Sequence, residues 1–249
     1  MANAEIRWKQ ISEPGPNGKI ENRSQWTSYA HGSVYGILEN HGNFESRNNP
    51  VTDPSPVFGY TQTIEVGDFG ANGGLIDNSE TGTFLLNFGS RLRLNNGMID
   101  NRGTMTVGTG AEIKYAGLGF VTNQDTGIMD MHGHLQMDPG AVFINTGRFN
   151  LKSGGTFTNN GSVFQNSRSL TGAAGIFEMD AGASVQQGSG STFDNHDGTL
   201  IVRGSFTGGF VTNSSEIQIL NGATMEVASL TQTQGLLVVN GTLTSTSGI

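Results

Sequence analysis

Cysteine is absent from all 249 residues, which removes disulfides, thiolate metal sites and cysteine nucleophiles together. Proline is scarce, with six residues, and charged side chains make up only 14%. Disordered chains carry more of both, so this chain is ordered. No apolar run approaches the roughly 18 residues of a membrane helix, and membrane insertion of this segment is not expected. Basic residues are also few: 13 against 21 acidic ones, net charge −8, with none beyond Arg203. A body of that sign repels phosphate backbones, so nucleic acid is not an expected partner. No nucleophile elbow, phosphate loop, zinc signature or EF-hand loop is present. The opening Met1-Ala2-Asn3-Ala4-Glu5 lacks the charged and apolar regions of a signal peptide, although Ala2-Asn3-Ala4 would suit the end of a cleaved leader.

Glycine is abundant, with 38 residues, but not at every third position, which excludes collagen. Its turns separate short segments that repeat. An apolar residue, any residue, then Asn recurs at Ile76-Asp77-Asn78, Ile99-Asp100-Asn101, Val121-Thr122-Asn123, Phe143-Ile144-Asn145, Phe164-Gln165-Asn166, Phe193-Asp194-Asn195 and Val211-Thr212-Asn213. Leu230-Thr231-Gln232 continues the series with Gln. Two further apolar series run in phase with it. One comprises Phe84, Met105, Met129, Phe149, Leu170, Leu200, Ile217 and Leu237. The other comprises Leu92, Ile113, Leu135, Phe157, Phe177, Phe206, Met225 and Leu243. All three lengthen near residue 180 and shorten after it.

Each repeat therefore reads as three short alternating strands between glycine-rich corners. Three strands in about 22 residues make one rung of a right-handed parallel β-helix, an all-β solenoid. Identical positions then stack into columns. The stacked amides of Asn78, Asn101, Asn123, Asn145, Asn166, Asn195 and Asn213 can hydrogen-bond in a ladder, with Asn tolerating a left-handed corner. The helix is expected over residues 37–249, with a fainter early rung at Leu38–Asn40, Phe44 and Ile64–Val66. Insertions are expected near 47–62 and 179–190. Residues 1–36, which hold both tryptophans, read as a cap over the open end. The uncharged final rung reads as continuing into a longer rod, or as self-associating through the C-terminal end.

Candidate chemistry is sparse. Asp77 and Asp100 occupy equivalent positions one rung apart, about 5 Å by the rung spacing. Such a pair could share a proton in catalysis or hold a hard cation such as calcium; no other cofactor or metal is implied. Asp130, His132 and His134 alternate but lack a fourth ligand. Arg91 beside Glu112 is an ordinary cross-strand pair. Arg93 beside Lys114 places two cations together, as for an acidic sugar, and Phe58 and Tyr60 in the first insertion add aromatic surface for a ligand.

Strings such as Gly155-Thr156-Phe157-Thr158-Asn159-Asn160-Gly161-Ser162 and Asn101-Arg102-Gly103-Thr104-Met105-Thr106-Val107 resemble the repeats of bacterial autotransporter passengers and filamentous-haemagglutinin-type exoproteins. The likeness covers roughly residues 73–249 and is one of repeat style. It implies a secreted or surface-exposed structural rod serving adhesion, aggregation or display, with a carbohydrate or cell-surface ligand. The chain departs from that group in showing neither a leader nor a β-barrel translocator, as a fragment would. The alternative is a β-helix polysaccharide lyase or hydrolase, or a phage tailspike-like glycan binder. That class needs clustered outward carboxylates or basic residues across several rungs. Only Asp77 with Asp100 and the Arg93–Lys114 pair qualify, and they lie on different strands, so the enzyme reading is not favoured.

Overall fold

The computed structural model describes residues 18–28, 32–47, 62–67 and 73–247. It contains strands and turns and, among those residues, no helix. Every strand pairing is parallel, and ten strands stack on each of three faces, giving about nine turns of a β-solenoid. We number the rungs one to ten by the residue that ends each first-face strand. These residues are Asn22, Asn40, Asn78, Asn101, Asn123, Asn145, Asn166, Asn195, Asn213 and Gln232. The strands Ser184–His196 and Ser205–Asn213 run round the corner from the third face of one rung to the first face of the next.

Most strands are four residues long with alternating exposure, as a pleat with one buried face requires. The inward residues form three apolar columns. In the middle of the rod they are phenylalanines stacked at the rung spacing: Phe143 on Phe164 at 4.7 Å, Phe164 on Phe193 at 4.9 Å and Phe149 on Phe177 at 4.9 Å.

The Asn ladder is continuous. Each Nδ2 donates to the amide oxygen of the next rung at 2.6–2.8 Å, from Asn22 to Gln232. The second N–H donates to a backbone carbonyl on the second face, as Asn145 does to Ile176 O at 3.0 Å. Glycine at the following corner makes room: a Cβ on Gly82 would lie 2.3 Å from Asn78 Oδ1, and one on Gly198 would lie 2.4 Å from Asn166 Nδ2. The ladder residues themselves are not left-handed, contrary to expectation. They close the strands with inward side chains, and the only described non-glycine residues with positive φ are Asn96 and Asp197.

Two register assignments need correction. Phe177 belongs to the second face, between Phe149 and Leu200, and Val185 takes the third-face place between Phe157 and Phe206. Leu170 lies in a loop and is fully exposed. The extra residues of rung seven are therefore those from Arg168 to Gly175, closed by the Arg168–Ala174 bridge and the Ser169 N–H to Ala173 carbonyl bond. Within the 179–190 stretch the pairing with the following rung shifts register between Gln187 and Thr192. The Asp180–Ala183 turn closes like the Lys152–Gly155 turn one rung earlier. Apolar spacing misled here because Leu170 falls 21 residues after Phe149, one repeat length. The early rung stands where expected, with Leu38, Phe44 and Ile64 buried. A further rung precedes it, formed by Lys19–Asn22, Gln25–Ser28 and Gly32–Val34. The other insertion, expected near 47–62 with Phe58 and Tyr60, lies apart from its ends outside the described residues.

Candidate ligand-binding face

Outward positions of the third face carry the densest group of ionisable side chains. Two columns run up rungs two to six: Thr63, Arg91, Glu112, His134 and Thr156 in one, and Glu65, Arg93, Lys114, Gln136 and Thr158 in the other. Arg91 Nε is hydrogen-bonded to Glu112, which is only 4% exposed. Arg93 and Lys114 stand side by side as their spacing predicts. Each has a loosely placed counter-charge: Glu65 at 3.7 Å from Arg93 and Asp138 at 3.9 Å from Lys114. Asp138 also accepts from Gln136 at 2.7 Å. The two cations thus keep outward charge that an anionic ligand could engage, screened by acids one rung below and above. Glu65 follows from the repeat count, but Asp138 does not, because it comes from a turn.

An exposed aromatic marks the corner where this face begins. Phe88 is 70% exposed, and its ring lies against Gly110 one rung on, where a Cβ would sit 2.4 Å from Phe88 Cδ2. Gly110 has φ +74°, so the glycine both permits the turn and accommodates the ring. No repeat signal pointed to Phe88, because a corner residue belongs to no column.

His134 faces Thr156, with Nδ1 2.6 Å from Oγ1. Burial holds its imidazole below the ordinary histidine value, and the nearby Glu112 charge offsets this in part. The unfolded histidine protonates near pH 6.5, and the folded one at lower pH. Between those values the unfolded state binds more protons, so stability rises with pH. The contribution is complete above about pH 6.5 and is lost as pH falls toward the folded value. Urea midpoints measured between pH 8 and pH 5 should fall more steeply for the wild type than for His134→Gln. Parallel profiles would show that His134 does not carry this dependence.

The other candidates are committed elsewhere. Asp77 and Asp100 are in register on adjacent rungs. The Arg102 guanidinium lies between them, 2.5 Å from Asp77 and 3.8 Å from Asp100, and Gln124 donates to Asp100 at 2.9 Å. A proton or cation shared by the two carboxylates would have to displace that guanidinium. Asp130 accepts from Asn150 at 2.8 Å and lies 3.7 Å from Lys152. It does not converge with His132 and His134. Among the described residues, the only close trio of potential metal ligands is Glu21, Glu39 and His41. Its carboxylates already pair with Arg23 and Lys19, both at 2.6 Å.

No family model matches the chain, and no curated protein matches it by sequence. Among solved structures, one similar chain is the crystal structure of a TibC-catalyzed hyper-glycosylated TibA fragment. It is 14% identical over 97% of this chain and 98% of that one, with a TM-score of 0.22. That superposition carries no argument about function.

Proposed function

We propose that this chain is a structural and adhesive β-helix of the bacterial surface or secreted fraction, which holds a carbohydrate or cell-surface ligand on its third face. The observation that supports this reading is the adjacent Arg93–Lys114 pair, displayed on a rigid ladder of parallel strands beside the exposed Phe88 ring. A rod of stacked rungs fixes the spacing of outward side chains and offers an extended binding face, as solenoids do. Arg93 and Lys114 supply donors for carboxylate or sulfate groups, and Phe88 supplies an apolar platform. The same reading includes end-to-end association. The final rung carries no charged residue, and Leu236 and Val239 are exposed on it. Its strands have no partner on the outer side among the described residues.

The test is binding to a panel of uronate-containing and sulfated polysaccharides. Wild-type protein should bind at least one, and Arg93→Glu with Lys114→Glu should weaken that binding at least tenfold while the circular dichroism spectrum stays unchanged. Binding that survives the double reversal would remove the third face from the reading.

A further inference from the structure

The first face carries a feature that an adhesive third face does not explain. Its outward positions alternate with the buried ones, and the first of them in rungs two to seven are Ile37, Leu75, Met98, Phe120, Val142 and Val163. Outward positions of a solvated sheet are ordinarily polar. Here six consecutive rungs place an apolar side chain at the same outward point, with Met98 45% and Val163 42% exposed. The column runs about 24 Å by the rung spacing. Contiguous apolar surface of this kind marks an interaction site.

We propose that the first face is a lateral self-association surface, on which two copies of this chain pack antiparallel about a two-fold axis lying between rungs four and five. Three features select a second copy in this arrangement. The first is spacing. The apolar points repeat at about 4.8 Å, which another stacked-strand face matches. A helix repeats its stripe at about 5.4 Å, drifting about 3 Å out of step over five intervals.

The second is charge. The other outward column of this face holds Glu39, Asp77 and Asp100 in rungs two to four, then Thr122, Ile144 and Gln165 in rungs five to seven. An axis along the rod, midway between the two columns, keeps the copies parallel and lays each apolar column on the other's acids. Shifted over the apolar column, it leaves the second column of each copy facing neither column of the other. An axis along the strands, between rungs four and five, lays apolar on apolar instead. Met98 then faces Phe120, Leu75 faces Val142, and Ile37 faces Val163. The same operation sets Asp100, Asp77 and Glu39 opposite Thr122, Ile144 and Gln165, so no acid of this stretch meets another. The contact is isologous and closed, as a two-fold requires.

The third is size. Six rungs of a four-residue strand project about 380 Å², roughly half of what one partner buries in a standard interface. The dimer is therefore weak and concentration-dependent, and it leaves the third face free.

Sedimentation of the full chain should show a mass of 26.3 kDa at low concentration, rising toward twice that as concentration increases. Phe120→Glu should weaken association at least tenfold with an unchanged circular dichroism spectrum, because the residue points outward. A monomer at every concentration would overturn the proposal. So would association that Phe120→Glu leaves intact and that Leu243→Lys with Thr244→Lys abolishes, since the rod ends would then be responsible. Orientation is tested through the missing cysteines. Glu39→Cys mixed with Gln165→Cys should be joined by a bismaleimide of about 10 Å reach, the spacing of packed sheets. Each variant alone should not link, because its own copies would lie five rungs, about 24 Å, apart along the axis. Preferential linking of Glu39→Cys to itself would overturn the antiparallel register. Binding to polysaccharide is unaffected by any of these outcomes, so failure here leaves the third-face reading standing.

Discussion

Asn145→Leu is expected to destabilise the protein by about 3–6 kcal/mol, although the two side chains are nearly the same size. Asn145 is completely buried, and its amide connects two rungs. Its Oδ1 accepts from Asn123 at 2.8 Å, and its Nδ2 donates to Asn166 at 2.8 Å and to the Ile176 carbonyl at 3.0 Å. Leucine would leave the Asn166 oxygen and the Ile176 carbonyl without these donors, and would take from the Asn123 amide its best acceptor. A buried polar group stripped of its partner costs about 1–3 kcal/mol, and three are affected. Small domains are stable by only about 5–15 kcal/mol, so the change is a large fraction of the whole. Gln232, where the ladder ends, is the contrast. It is only half-buried, so water can take over the donor of Asn213, and Gln232→Ala should cost about 1 kcal/mol. Urea unfolding of the two variants checks both. Equal losses would mean that the ladder does not act through burial.

The ladder also shows how far the sequence could be read. Stacking makes identity legible, because a residue needed in every rung recurs in every rung. Recurrence does not report backbone conformation, so the strand-end geometry of the Asn residues differed from the left-handed corner expected of them. The missed insertion has a related cause. Leu170 has the right apolarity at the right distance, and only pairing shows that Phe177 takes the place beside Phe149. The first rung was hidden for another reason: Ile20, Asn22, Trp26 and Val34 carry the pattern, but the neighbouring aromatics and prolines drew the segment toward a cap.

The candidate site was legible only where it follows the repeat. Counting alone places Arg93 beside Lys114 and Asp77 beside Asp100, and the structure does the same. The residues that decide what those pairs can do lie outside the count. Arg102 sits in a turn beyond the ladder residue, Asp138 in another, and Phe88 at a corner. The outward column on the first face was present in the sequence one residue ahead of each apolar-x-Asn triplet. It is easily passed over, because alternation is read for what it buries.

Phe164→Ala should cost about 3–5 kcal/mol, the usual loss for a buried aromatic. Phe164 is the hub of the core. Its ring stacks on Phe143 at 4.7 Å and Phe193 at 4.9 Å, and contacts Phe177 at 5.1 Å, Phe157 at 5.4 Å and Phe149 at 5.8 Å. Truncation removes apolar area and leaves a void that parallel strands tied by backbone bonds cannot readily collapse into. Phe164→Leu keeps most of the volume and should cost less than half as much. Because a solenoid is held by contacts between neighbouring rungs, a void at rung seven weakens the coupling between the halves on either side. The alanine variant should therefore unfold with a lower urea m-value, or in two steps, as the halves separate in cooperativity. A loss below about 1 kcal/mol with an unchanged m-value would show that the phenylalanine column is not what joins the rungs, leaving that role to the ladder and the backbone.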